Sequence, residues 1–151
     1  REFTNEQNIR LMTENGIYTR EEMESRNEIR LEKYCSITMI EARTLLEMIR
    51  KGIFGAVNAY LASLNGSFAF QKELEEKVGH LGNELAAEAE LLEKALAEAD
   101  KAAEPMEKLR ICSEEVTKET AACRMGVDKL ETLIDARFWP FPDYTELLFS
   151  I

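Results

Sequence analysis

The chain has 151 residues, enough for one domain with a real core and too few for a second independent one. Nineteen basic against twenty-nine acidic residues leave a net charge of −10, which argues against nucleic acid and anionic membrane as partners, because both need clustered Lys and Arg. No apolar run approaches the roughly 20 residues that span a bilayer, and no signal-peptide pattern opens the chain, so a cytoplasmic location is expected.

Helix-favouring residues dominate, and Gly (7) and Pro (3) are scarce. No stretch alternates apolar with polar residues, so the composition points to an all-α chain. Cys35, Cys112 and Cys123 are odd in number and widely spaced, which favours reduced thiols in a core over a disulfide framework or a zinc site. The chain begins at Arg1 without Met and opens straight into a capping signal, so it is expected to be a piece of a longer polypeptide.

Thr4-Asn5-Glu6-Gln7 has the spacing of a capping box and Asn15-Gly16 supplies a stop, predicting a short helix within an N-terminal segment 1–18. Thr19-Arg20-Glu21-Glu22 repeats the start signal. No stop follows until Asn65-Gly66, so one long helix is predicted over 19–65. Along it Leu31, Tyr34, Thr38, Ala42, Leu45, Ile49, Ile53, Ala56, Tyr60 and Leu64 recur at spacings of three and four, the period of a nearly straight helix. Ile37, Ile40, Leu46, Phe54, Val57 and Leu61 form a second apolar set, as for a helix with neighbours on two sides. Gly52 and Gly55 mark a weak point where a bend is expected.

From about Phe70, Leu74, Val78, Leu81, Leu85, Leu92 and Ala99 trace a heptad seam interrupted at Glu88. Pro105 suits the first turn of a new helix, placing a turn near 100–105. Met106, Leu109, Ser113, Val116, Thr120, Cys123, Val127, Leu130 and Ile134 then alternate by three and four up to Phe138, ahead of Trp139-Pro140. Two facing seams joined by a short turn predict an antiparallel hairpin over 68–138. The expected whole is a single helical domain, 1–151: an elongated antiparallel three-helix bundle of one long helix plus the hairpin, with the short N-terminal helix and an aromatic tail, 139–151, as additions.

Residues 138–151 hold five of the twelve aromatic residues, the only Trp and two of the three Pro. Each large side chain withdrawn from water is worth roughly 1.5–3 kcal/mol, so such a tail needs a receiving surface. Trp139, Phe141, Tyr144, Leu147, Leu148 and Phe149 are the candidate contact residues, either as a lid over one end of the bundle or against another domain or subunit.

Catalytic apparatus is missing. A di-iron bundle needs Glu-x-x-His on two helices, and the only histidine, His80, has Lys77 three residues before it. Cys112 and Cys123 lie eleven residues apart on one helix face and read as small core residues. The Glu-rich run of 73–98 reads as a solvated helix face, and without strands there is no phosphate-cradling loop. No residue is therefore assigned a catalytic, cofactor-binding or metal-ligating role.

Glu24-Ser25-Arg26-Asn27-Glu28-Ile29-Arg30-Leu31-Glu32-Lys33-Tyr34, the segment Ile40-Glu41-Ala42-Arg43-Thr44-Leu45-Leu46-Glu47-Met48, and Asp128-Lys129-Leu130-Glu131 leading into Trp139-Pro140-Phe141-Pro142-Asp143-Tyr144-Thr145-Glu146-Leu147-Leu148-Phe149 resemble the C-terminal region of type III glutamine synthetases. The resemblance spans nearly the whole chain and is most specific in the tail; Gly55 departs from it, standing where the family's long helix is expected to carry Pro. It implies a parent enzyme that joins ammonia to glutamate using ATP and Mg or Mn, working as a ring-shaped homo-oligomer. The ligands of those groups belong to an upstream catalytic domain and none falls on this chain. The implied partners are that catalytic domain and neighbouring subunits. Two readings from other classes stand beside it: a free-standing helical-bundle enzyme or metal protein, and a coiled-coil adaptor that docks through the seam of 106–134.

Overall fold

The computed structural model describes residues 3–142 and 144–149, with the side chains of residues 144–146 left aside. The described residues form helices joined by turns, with no strand among them. Helix α1 spans Glu6–Glu14, α2 Arg20–Met48, α3 Phe54–Ser63, α4 Ala69–Lys101, α5 Pro105–Ile111, α6 Thr117–Glu131 and α7 Tyr144–Phe149. A π-helical turn, Ile49–Ile53, joins α2 to α3, and a second, Cys112–Val116, joins α5 to α6.

Local chemistry explains the starts and stops. The cap of α1 is Asn5 rather than Thr4: the Asn5 carboxamide oxygen accepts the Asn8 N–H at 2.7 Å. Asparagine is at least as good a cap as threonine, and the helix starts one residue later than the Thr4 spacing predicts. At its end Gly16 adopts φ +64°, while Ile17 N–H donates to Met12 O and Gly16 N–H to Thr13 O, the paired bonds of a Schellman stop. Thr19 and Glu22 form the full reciprocal box at the start of α2. Thr19→Ala is expected to cost about 1 kcal/mol. A melting temperature unchanged by that substitution would show that the ion pair of Arg20 with Glu6, at 2.9 Å, holds the first turn instead.

The apolar face of the long rod is rotated from the predicted one in its first half. Cys35, Met39, Ala42, Leu46, Ile49, Ile53, Val57 and Tyr60 are buried, while Tyr34, Ile37 and Ile40 are exposed. A π turn inserts one extra residue into the helix, which shifts every side chain on one side of it by about 100° relative to a continuous α-helix. A single stripe drawn across that insertion therefore fits Ile49 onward, while before it Ala42 is buried as drawn, Leu45 is partly covered and Tyr34 is exposed. The expected weak point at Gly52 is this insertion.

Helix α4 lies most extensively along α6, and also meets α2, α3, α5 and the second π turn. At 33 residues it is about 50 Å long. Its buried face is Val78, Leu85, Ala89, Leu92, Ala95, Leu96 and Ala99, with Leu74 and Leu81 only partly covered. Gly82 lets α4 approach α3, where Val57 Cγ1 lies 3.5 Å from the position of an added Cβ. Arg43 with Asp100 at 2.7 Å and Arg50 with Glu93 at 2.6 Å pin the rim between α2 and α4. Both pairs are half exposed, so solvent screening keeps their contribution small.

Pro105 occupies the first turn of α5, after a reversal at 102–104. The second π turn carries its own marker: the Thr117 hydroxyl donates to Cys112 O, five residues back, at 2.8 Å. Helix α6 stops at Glu131, short of the predicted Phe138. Ile134 still reaches the core, but turns at 132–134 and 136–138 bring the chain around before Pro140.

Candidate contact surface

The tail divides into two parts with different fates. Phe138, Trp139 and Phe141 are partly buried against the core cluster. The Phe138 ring meets Tyr60 edge to face, with centroids 5.7 Å apart and planes at 61°. Pro140 and Phe141 sit over the first π turn, where a Cβ on Gly52 would lie 3.2 Å from both Pro140 Cγ and Phe141 Cζ. Gly52 thus serves as a seat for the lid.

Just before the lid, Asp135 accepts from the Arg137 backbone N–H at 2.9 Å and from its guanidinium at 2.8 Å. Those bonds hold the exposed Asp135 carboxyl down to about 2. The same guanidinium lies 5.9 Å from the centre of the Phe138 ring. Both contacts stiffen the approach to the lid, and their surface setting keeps them weak.

Leu147, Leu148 and Phe149 behave differently. They are 63%, 72% and 74% exposed, so nothing among the described residues covers them. The side chain of Tyr144 lies outside the described residues, as do Asp143, Ser150 and Ile151. A surface of which sequence reasoning named only Ile37 and Ile40, in its second apolar set, runs along α2, where Ile29, Ile37, Ile40 and Met48 share one exposed arc of about 100°. It ends at an open crevice of about 310 Å³ lined by Thr44, Glu47, Met48, Lys51, Gly52 and Phe141. The signal was present as apolar residues out of phase with the core set, and the inserted residue of the π turn disguised it.

The remaining candidate groups are spread out. His80 is exposed, with Nε2 3.2 Å from Glu84. Burial pushes the Cys112 thiol up to about 11, with neighbouring Cys35 adding to the shift, and burial pushes Cys123 up to about 11 as well. Thiols so placed are poor nucleophiles at neutral pH. Among the described residues no three His, Cys, Asp or Glu side chains gather as a metal-ligand group, and no helix is long and apolar enough to cross a membrane.

Residues 1–72 match the family model described as the glutamine synthetase C-terminal domain. Over 99% of its length the chain is 32% identical to a glutamine synthetase of Butyrivibrio fibrisolvens, and over 97% it is 28% identical to a type-3 glutamine synthetase of Dictyostelium discoideum. It covers 23% and 22% of those two proteins. No solved structure matches.

Proposed function

We propose that this chain, whose residues 1–72 match the glutamine synthetase C-terminal domain model and whose length is similar to glutamine synthetases, one of them type-3, is a non-catalytic brace and contact segment of such a synthetase. The parent protein joins ammonia to glutamate with ATP and Mg or Mn in the cytoplasm, and assembles as a homo-oligomer. This segment takes no part in binding those groups; its partners are the parent's own catalytic domain and neighbouring subunits.

In this reading α2 with α3, α4, and α5 with α6 are the three rods of an elongated antiparallel bundle. Phe138, Trp139 and Phe141 close one end of it, and Leu147, Leu148 and Phe149 reach outward. The exposure of those last three side chains carries the reading, because contiguous large apolar groups left in water mark a surface completed by a partner. The adaptor reading fares worse: Val116, Cys123, Leu130 and Ile134, the apolar centre of the seam that it would use, are buried within this chain.

The test is removal of residues 143–151 from the full-length protein, which spares the lid. Smaller assemblies with reduced glutamine formation are expected, while the circular dichroism of this segment stays helical. Wild-type assembly size together with wild-type turnover would overturn the contact role.

A further inference from the structure

The heptad seam of α4 is interrupted at Glu88, and the structure shows what that residue does there. Its Oε2 is sealed from solvent and has no hydrogen-bond partner. Opposite it, on α6, stands Gly126, and a Cβ at that position would lie 2.9 Å from this oxygen and 3.2 Å from Leu85 Cδ1. The absent side chain of Gly126 makes the niche in which the carboxyl group lies. An ionised oxygen in such a niche lacks the water that would solvate it and gains no cation in contact, although Glu88 as a whole is only partly buried.

The charges around it come from its own helix and from α6. Lys129 attracts the ionised form without reaching ion-pair distance, while Glu84 and Glu119 repel it, and the Cys123 thiol shares the seam. The cations that α2 and the first π turn direct at α4 are engaged elsewhere, Arg43 with Asp100 and Arg50 with Glu93.

We propose that Glu88 makes the α4–α6 hairpin proton-sensitive: the seam closes stably around a neutral carboxyl at position 88 and is loosened when that group ionises. Desolvation, the largest influence on it, raises the affinity of Glu88 for its proton above that of an ordinary glutamate. The unfolded chain releases this proton at the ordinary value and the folded chain at a higher one. Between the two, the folded form holds a proton that the unfolded form has lost, so stability falls as pH rises through that window. Above the folded value the loss is complete.

Thermal melts of the 151-residue chain and of its Glu88→Gln variant across pH 4–9 test this directly, because glutamine keeps the shape and cannot ionise. The melting temperature of the wild type relative to the variant is expected to fall by about 3–5 °C per pH unit inside the window. Parallel profiles for the two proteins would overturn the proposal. Should the variant fail to fold, the carbon-13 shift of the Glu88 carboxyl in the wild type decides: a midpoint above that of ordinary glutamates supports the proposal, and one at or below it overturns it.

Discussion

Leu92→Ala is expected to destabilise the chain by about 2–5 kcal/mol, and Leu91→Ala to change it by less than about 0.5 kcal/mol. The two leucines are adjacent and alike in chemistry. Leu92 is fully buried on the face of α4 that packs into the core, whereas Leu91 is half exposed. Truncating Leu92 removes transfer free energy and leaves a cavity that two long helices cannot collapse to fill. In a chain of this size the loss corresponds to roughly 5–15 °C in melting temperature. Equal shifts for both variants would mean that α4 does not sit on α6 in this register.

Gly52→Leu is the second large effect. A Cβ there already crowds Pro140 and Phe141 at 3.2 Å, and the remaining atoms of leucine would occupy the lid's seat outright. Displacing the lid is expected to cost about 1–3 kcal/mol. The readout is specific because Trp139 is the only tryptophan: its emission should move to longer wavelength as the ring loses its packing. Gly55→Ala is the control, since no atom lies within 4 Å of an added Cβ there. It is expected to leave the emission unchanged and to raise stability by about 0.5–1 kcal/mol through helix propensity. Matching emission shifts in both variants would remove Gly52 from its role as the seat.

The elements that sequence reasoning located well are those whose signals are local. The Thr19–Glu22 box, the Asn15-Gly16 stop and Pro105 at the head of α5 each act through hydrogen bonds or sterics within four residues, so their positions can be read without knowing the fold. The same holds for part of the seam along the second π turn and α6, where Val116, Cys123 and Leu130 are buried as their spacing predicts.

The misreadings have one cause in common. At Ile49–Ile53 the backbone takes an extra residue into the helix beneath Pro140 and Phe141, and although Gly52 marks the place as weak, no residue type announces an insertion rather than a bend. Met39 was therefore missed as core and Cys35, expected in a core as a thiol, was left off the stripe, while Ile37 and Ile40 were placed inward although they face solvent. The tail shows the same division: its apolar content demanded burial, but which of its side chains would meet a surface within the chain depended on the reversal at 132–138.

Helical class and the chain reversals at Asn15-Gly16 and ahead of Pro105 were set by the order of residues alone, because caps, glycines, prolines and periodicity act over a single turn of backbone. The tertiary structure decided the phase of each apolar face, the seating of Phe141 on Gly52 and the enclosure of Glu88. Each of these depends on groups far apart in the chain competing for the same space in a close-packed interior.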